Sequence, residues 1–180
     1  MALQSFVAIA PPGVPSVNAG TAYNTSITVT DVSPAPQFIL PANTLVAGSV
    51  LSVRAAGVFS NTGTPTLILG VYYGAVAGTL LAATAATTTT TAAANWQWRL
   101  EWEGVVKTAG TAGTVHGKGV LWLATSATAF SAIPIPNATP QTAITIDTTT
   151  AKAVTVGATW GTSSASNTLT CNYCIVHLEA

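Results

Sequence analysis

Charge is what this chain has least of: five Lys and Arg and five Asp and Glu in 180 residues, 6% of the sequence, against about 25% in ordinary soluble chains. A soluble monomer keeps charge on its surface for solubility. A chain with so little has much of its surface laid against other protein or tiled with hydroxyls, which points to an assembly component before an enzyme. The five basic residues are spread from Arg54 to Lys152. They form no cluster to neutralise phosphates, which argues against a nucleic-acid partner. No apolar run approaches the roughly 18 residues of a membrane-spanning helix. The start, MALQSFVAIAPPGVPS, has a short apolar stretch but no basic flank, and Pro11 and Pro12 follow directly. It reads poorly as a secretory signal, and a start at Met1 suggests a protein used without export.

Cysteine and histidine are equally sparse: Cys171, Cys174, His116 and His177 are all there are. A four-ligand zinc site would need every one of them. On a β-strand, residues three apart point to opposite faces, so the two cysteines are expected to share neither a metal nor a disulfide. They read as two small buried hydrophobes, and no cofactor is expected.

What is present is apolar and β-forming. Hydrophobic residues make up 49% of the chain, ample for a core, so low charge is not a sign of disorder, and the length fits one domain. Val, Ile, Thr and aromatics come in short runs separated by Gly, Pro, Asn and Ser. Strands are predicted at 25–31, 36–40, 48–59, 65–74, 79–86, 95–107, 114–124, 129–135, 141–147, 152–160 and 167–178. The segment from Thr79 to Ala94 contains the all-Thr run Thr87 to Thr91, a poor helix former, and is read as a strand followed by a loose loop. About ten strands without helices predict an antiparallel sandwich or barrel over residues 25–180. Residues 1–24, with Pro11, Pro12, Gly13 and Pro15, read as an extended arm.

The sharpest strand is NWQWRLEWEG. Trp96, Trp98, Leu100 and Trp102 fall on one face and Gln97, Arg99, Glu101 and Glu103 on the other, the signature of a half-buried strand. Each buried Trp is worth about 4–6 kcal/mol as an upper bound. The last strand, TLTCNYCIVHLE, is apolar in both phases: Leu169, Cys171, Tyr173 and Ile175 against Cys174, Val176 and Leu178. A strand apolar on both sides is covered on both, so it is an expected oligomer interface.

Few residues suggest chemistry. Glu101 and Glu103 share a strand face, and glycosidases use paired carboxylates about 5–9.5 Å apart. Arg99 and Lys107 lie beside them, however, and an ion-paired surface or interface row is the preferred reading. The tract AGTVHGKG fails the phosphate-loop pattern, because its Gly spacing is one short and Gly119 stands where Ser or Thr is required. G-x-S-x-G, G-x-G-x-x-G and H-E-x-x-H are absent.

Three stretches carry a resemblance: LPANTLVAGSVLSVRAAGVFSNTGTPTLILGVYYGAVAGTLL (Leu40 to Leu81), NWQWRLEWEG, and ATWGTSSASNTLTCNYCIVHLE. With its SVLSVRAAG strand, TGTPTL turn, W-R-L-E strand and WGT-S-ASNT-L final strand, the chain resembles small structural proteins of tailed bacteriophages and prophages over roughly residues 37–178. The resemblance implies a jelly-roll-like β-sandwich that assembles as a homotrimer on the virion. It would act as a capsid decoration (cement) protein on the major capsid protein lattice, built in the host cytoplasm, without active site or cofactor and with neither nucleic acid nor membrane as partner. The alternative is a tail-associated adhesin binding a host receptor or glycan, for which Tyr72, Tyr73 and Trp122 offer an aromatic cluster. The residues expected at interfaces are Pro11 and Pro12 of the arm, Arg99, Glu101, Glu103 and Lys107 of the charged strip, and Tyr173 and Val176 of the last strand.

Overall fold

A computed structural model of the chain describes residues 5–9, 16–18, 29–33, 37–76, 78–136 and 142–179, the first two segments by their backbone path alone. Among these residues there is no helix. The strands are β1 (Ser5–Ile9), β2 (Ser16–Asn18), β3 (Thr30–Asp31), β4 (Ile39–Leu40), β5 (Val50–Ser60), β6 (Thr66–Tyr73) and β7 (Thr79–Ala83). They continue with β8 (Thr87–Thr88), β9 (Trp96–Thr108), β10 (Gly113–Ser126), β11 (Ala129–Ile135), β12 (Ile144–Ile146), β13 (Lys152–Trp160) and β14 (Thr168–Glu179).

All pairings are antiparallel and make two sheets packed as a sandwich. The large sheet runs β1-β14-β5-β9-β10-β11, with β2 also on β14 and β12 also on β10. The small sheet runs β3-β13-β6-β7, with β4 on β13 and β8 on β6. Consecutive strands β5 and β6 lie in different sheets and pair with β14 and β13, also consecutive, while β9, β10 and β11 stay together as a meander. The expected arm is strand where it is described: β1 and β2 pair along β14 of their own chain. Pro11 and Pro12 lie outside the described residues.

The core follows from period-two alternation. Leu51, Val53, Ala55 and Phe59 of β5, Trp98, Leu100 and Trp102 of β9, and Leu121 and Leu123 of β10 face Leu67, Leu69 and Val71 of β6 and Val154, Val156 and Trp160 of β13. Phe59 links the sheets, with its ring centroid 6.5 Å from those of Trp96 and Trp160. The Thr-rich segment is not loose. Asn61 is buried and donates to Thr89 Oγ1 at 2.6 Å, and accepts at Oδ1 from the Ala93 N–H at 3.0 Å. Thr84 Oγ1 accepts from the Leu69 N–H at 3.1 Å. These hydroxyls replace the ladder bonds that a longer strand would have made.

The last strand departs from its expected geometry. Register shifts between Cys171 and Tyr173, leaving Asn172 as an extra residue opposite β5, a β-bulge. Before it the odd positions Leu169 and Cys171 point inward; after it the even positions Cys174, Val176 and Leu178 do. The two-sided apolar pattern is thus one face read in two phases, and it gives no ground for a second cover. Val176, expected at an interface, is only 2% exposed and belongs to the core. The two cysteines, expected on opposite faces, both point inward and are both free and buried.

Gly57 makes this bulge possible. The Thr170 carbonyl lies over it, where a Cβ would sit 1.8 Å from the oxygen, and the same carbonyl accepts Trp98 Nε1–H at 3.2 Å. Gly57→Ala is therefore expected to cost about 3 kcal/mol in urea unfolding, as overpacking against backbone does. Gly63→Ala, with no atom within 4 Å of the new methyl, should change stability by less than about 0.5 kcal/mol.

Candidate functional site

The outer face of the large sheet is a grid whose rows are set by strand register. One row runs Tyr173–Ala56–Arg99–Trp122–Ala132 across β14, β5, β9, β10 and β11. Next to it runs Ile175–Arg54–Glu101–Val120–Pro134, then His177–Ser52–Glu103–Lys118. Beyond Tyr173 lies Thr170–Val58–Gln97, and the far end is Glu179–Val50–Val105–His116.

Six of the chain's ten charged residues stand on this grid: Arg54, Arg99, Glu101, Glu103, Lys118 and Glu179. Lys107 is exposed at a bulge opposite Thr114 and Val115. Arg99, Glu101 and Glu103 are brought together as expected, and Arg99 Nη2 forms an ion pair with Glu101 Oε1. Arg54 was missed by the sequence reading because it lies on another strand; register sets it directly across from Glu101. On β14, between β1 and β5, His177 Nδ1 lies 3.7 Å from Glu179 Oε1. Ser52, Arg54, Glu101, Glu103 and Lys118 line a shallow groove of about 460 Å³. With Glu101 engaged by Arg99 on an open face, the two carboxylates have no enclosed cleft between them. Among the described residues no group of three or more His, Cys, Asp and Glu could hold a metal.

A second groove, of about 630 Å³, adjoins the first and has aromatic walls. Tyr173 stands on one side and Trp122 and Phe130 on the other, over Ala56, Val58, Gln97 and Arg99. These three aromatics are 39%, 41% and 50% exposed. The expected cluster of Tyr72, Tyr73 and Trp122 does not form. Tyr73 is buried in the small sheet, Tyr72 lies on that sheet's outer side, and Trp122 is across the sandwich. Of the groove's exposed aromatics, the sequence pointed to Trp122, in a different cluster, and to Tyr173, for a different reason, and not to Phe130.

The small sheet's outer face is different in kind. Its rows Tyr72–Thr155, Gly70–Gly157–Asp31 and Ile68–Thr159, with Leu80 beside Tyr72, carry a single charge, that of Asp31, and Gly70, Thr155 and Gly157 at its centre are buried. Asp31 pairs with Gly157 at the edge, half-buried, its carboxylate taken up by the Ser33 N–H and the Gln37 amide. Burial raises its pKa, partly offset by those bonds.

No helix among the described residues is long and apolar enough to cross a membrane. No protein-family model, curated protein or solved structure matches the chain.

The cysteines are chemically quiet. Burial pushes the Cys174 thiol up to about 12, opposed by the hydrogen bond to Ser33 and helped by the nearby Asp31. Burial, then the nearby Cys174, raises Cys171 further, and its Sγ donates to the Tyr173 carbonyl at 3.1 Å. Since the thiolate is the nucleophile, neither thiol should react with a disulfide reagent at pH 8 until the chain unfolds. Because both pKa values are raised on folding, their stabilisation is full below the unfolded value near 9 and is lost as pH rises toward the folded ones. Urea midpoints should thus fall above pH 9, and Cys174→Ala should flatten that fall.

Proposed function

We propose that the chain is a non-enzymatic structural component of a virion: a capsid decoration protein that binds the major capsid protein lattice as a homotrimer. The observation that carries this reading is the partition of charge between the two faces of the sandwich. A face of hydroxyls and aliphatics whose single charge, Asp31, is half-buried and already hydrogen-bonded is desolvated at far lower cost than one carrying six charges. The small sheet's outer face, with Ile68, Leu80, Thr66 and Thr159, fits lasting contact with protein. The large sheet's face, with six charges, fits exposure to solvent.

The resemblance to phage structural proteins supports the same reading. A jelly roll would pair consecutive strands of the two sheets in this way, so the pairing of β5 with β14 and of β6 with β13 supports that finer description of the sandwich. Repetition over a symmetric shell lets individually weak contacts hold. The protein would be assembled in the host cytoplasm, with no cofactor, nucleic acid or membrane as partner. The rival reading, a tail-associated adhesin, draws on the aromatic groove of the large sheet.

Gold-labelled antibody on virions decides between locations: label over the head is expected, and label at the tail tip overturns the capsid reading. Leu80→Glu and, separately, Thr159→Lys are expected to weaken binding to expanded empty capsids at least about ten-fold, the cost of burying an unpaired charge. Glu103→Gln, on the opposite face, should leave binding unchanged.

A further inference from the structure

We infer that the aromatic groove on the large sheet is a carbohydrate-binding site that takes a chain of pyranose sugars. The inference concerns the isolated chain and does not rest on the capsid reading.

The walls come first. Tyr173 and Trp122 are three strand spacings apart, about 14 Å, with Phe130 diagonal to Trp122 on the edge strand. Exposed aromatics gathered around one groove mark a binding surface. The bulge at Asn172 is what puts Tyr173 there; without the extra residue, strand alternation would carry it inward with Leu169 and Cys171. Bulges recur where a side chain must be re-aimed.

The polar groups come second. Gln97, Arg99 and Asn172 bring two amides and a guanidinium to the groove. Among the described residues, neither the Gln97 nor the Asn172 amide makes a side-chain hydrogen bond. The Arg99 charge is already met by Glu101. The groove is therefore planar, hydrogen-bonding and close to neutral.

A pyranose ring has the matching chemistry. Its C–H face packs on an aromatic ring, and its hydroxyl rim both donates and accepts, as an amide does. A phosphate backbone or acidic peptide would need cations in excess, which this groove lacks. An apolar protein face would leave both amides buried and unpaired, at a cost. The volume of about 630 Å³ lies within the roughly 300–1,000 Å³ of small-ligand sites. From Gln97 to Glu103 the face continues along β9 for about 20 Å, room for several sugars in line.

The test is a glycan array probed with the full chain, one half bearing bacterial surface polysaccharides and the other animal-type oligosaccharides, with neutral, N-acetylated and uronic-acid sugars on each. The strongest binder is then titrated by tryptophan fluorescence. Saturable binding is expected on one half, weakened about ten-fold or more by Trp122→Ala and by Tyr173→Ala and unchanged by Lys152→Ala. Both aromatics are exposed, and an unaltered unfolding midpoint confirms that the variants fold. An array with no binder, or an affinity that neither substitution moves, overturns the assignment. So does concentration-dependent sedimentation that Trp122→Ala abolishes, which would make the face a contact between copies of this chain.

Discussion

The pleat of β9 ties the protein's interior to its surface. Trp98, Leu100 and Trp102 cannot turn inward without turning Gln97, Arg99, Glu101 and Glu103 outward, because successive side chains must alternate. Trp102 then fixes the neighbour. A Cβ on Gly104 or Gly117 would lie 2.3 or 2.1 Å from its ring, so the indole fills a socket made by glycines on both strands of the hairpin. That socket holds Gly117 against Gly104, and the same register brings Lys118 beside Glu103 and Trp122 beside Arg99. The arrangement of charges and aromatics outside is thus an imprint of how one tryptophan packs inside. The indole N–H of Trp102 is buried with no partner among the described residues, so its contribution is one of shape.

The two faces of the sandwich solve different problems. Hydroxyl and aliphatic groups lose far less than fixed charges when protein covers them, which suits a surface that is to be covered. Fixed charges favour water unless a partner matches them, so gathering them on one side gives the molecule an orientation. On the proposed reading, a decoration protein with its charged side outward and a sugar groove there would give the particle a second hold on glycan-coated surfaces.

The parts of this design that were legible in the sequence are those written within one strand. β9 announced itself by its strict alternation, and the bounds of β5, β6, β11, β13 and β14 followed from turn residues on either side. What crosses strands was not legible. Arg54 meets Glu101, and Tyr173 shares a groove with Trp122 and Phe130, only through register, which is set by packing of the whole sheet. The bulge at Asn172 left a trace, since the apolar positions of TLTCNYCIVHLE change phase between Cys171 and Cys174. That trace also fits a strand covered on both sides, and the choice between the two needs the neighbour's glycine at position 57. The Thr-rich segment misled for a related reason: its threonines are polar by type, yet Thr84 and Thr89 are buried because backbone groups elsewhere claim their hydroxyls.

Asn172 works like an inserted letter in a text read two at a time. Every residue after it is assigned to inside or outside by its presence, so seven positions up to Glu179 depend on one that itself packs against nothing in the core. As far as register goes, substitutions there can be tolerated freely, since the count needs a residue and not a particular side chain. Loss of the residue cannot be tolerated in the same way, because it would exchange the strand's buried and exposed sets in a single step. Related chains that vary at this position while never losing it would be obeying a rule of counting, one that operates independently of chemistry.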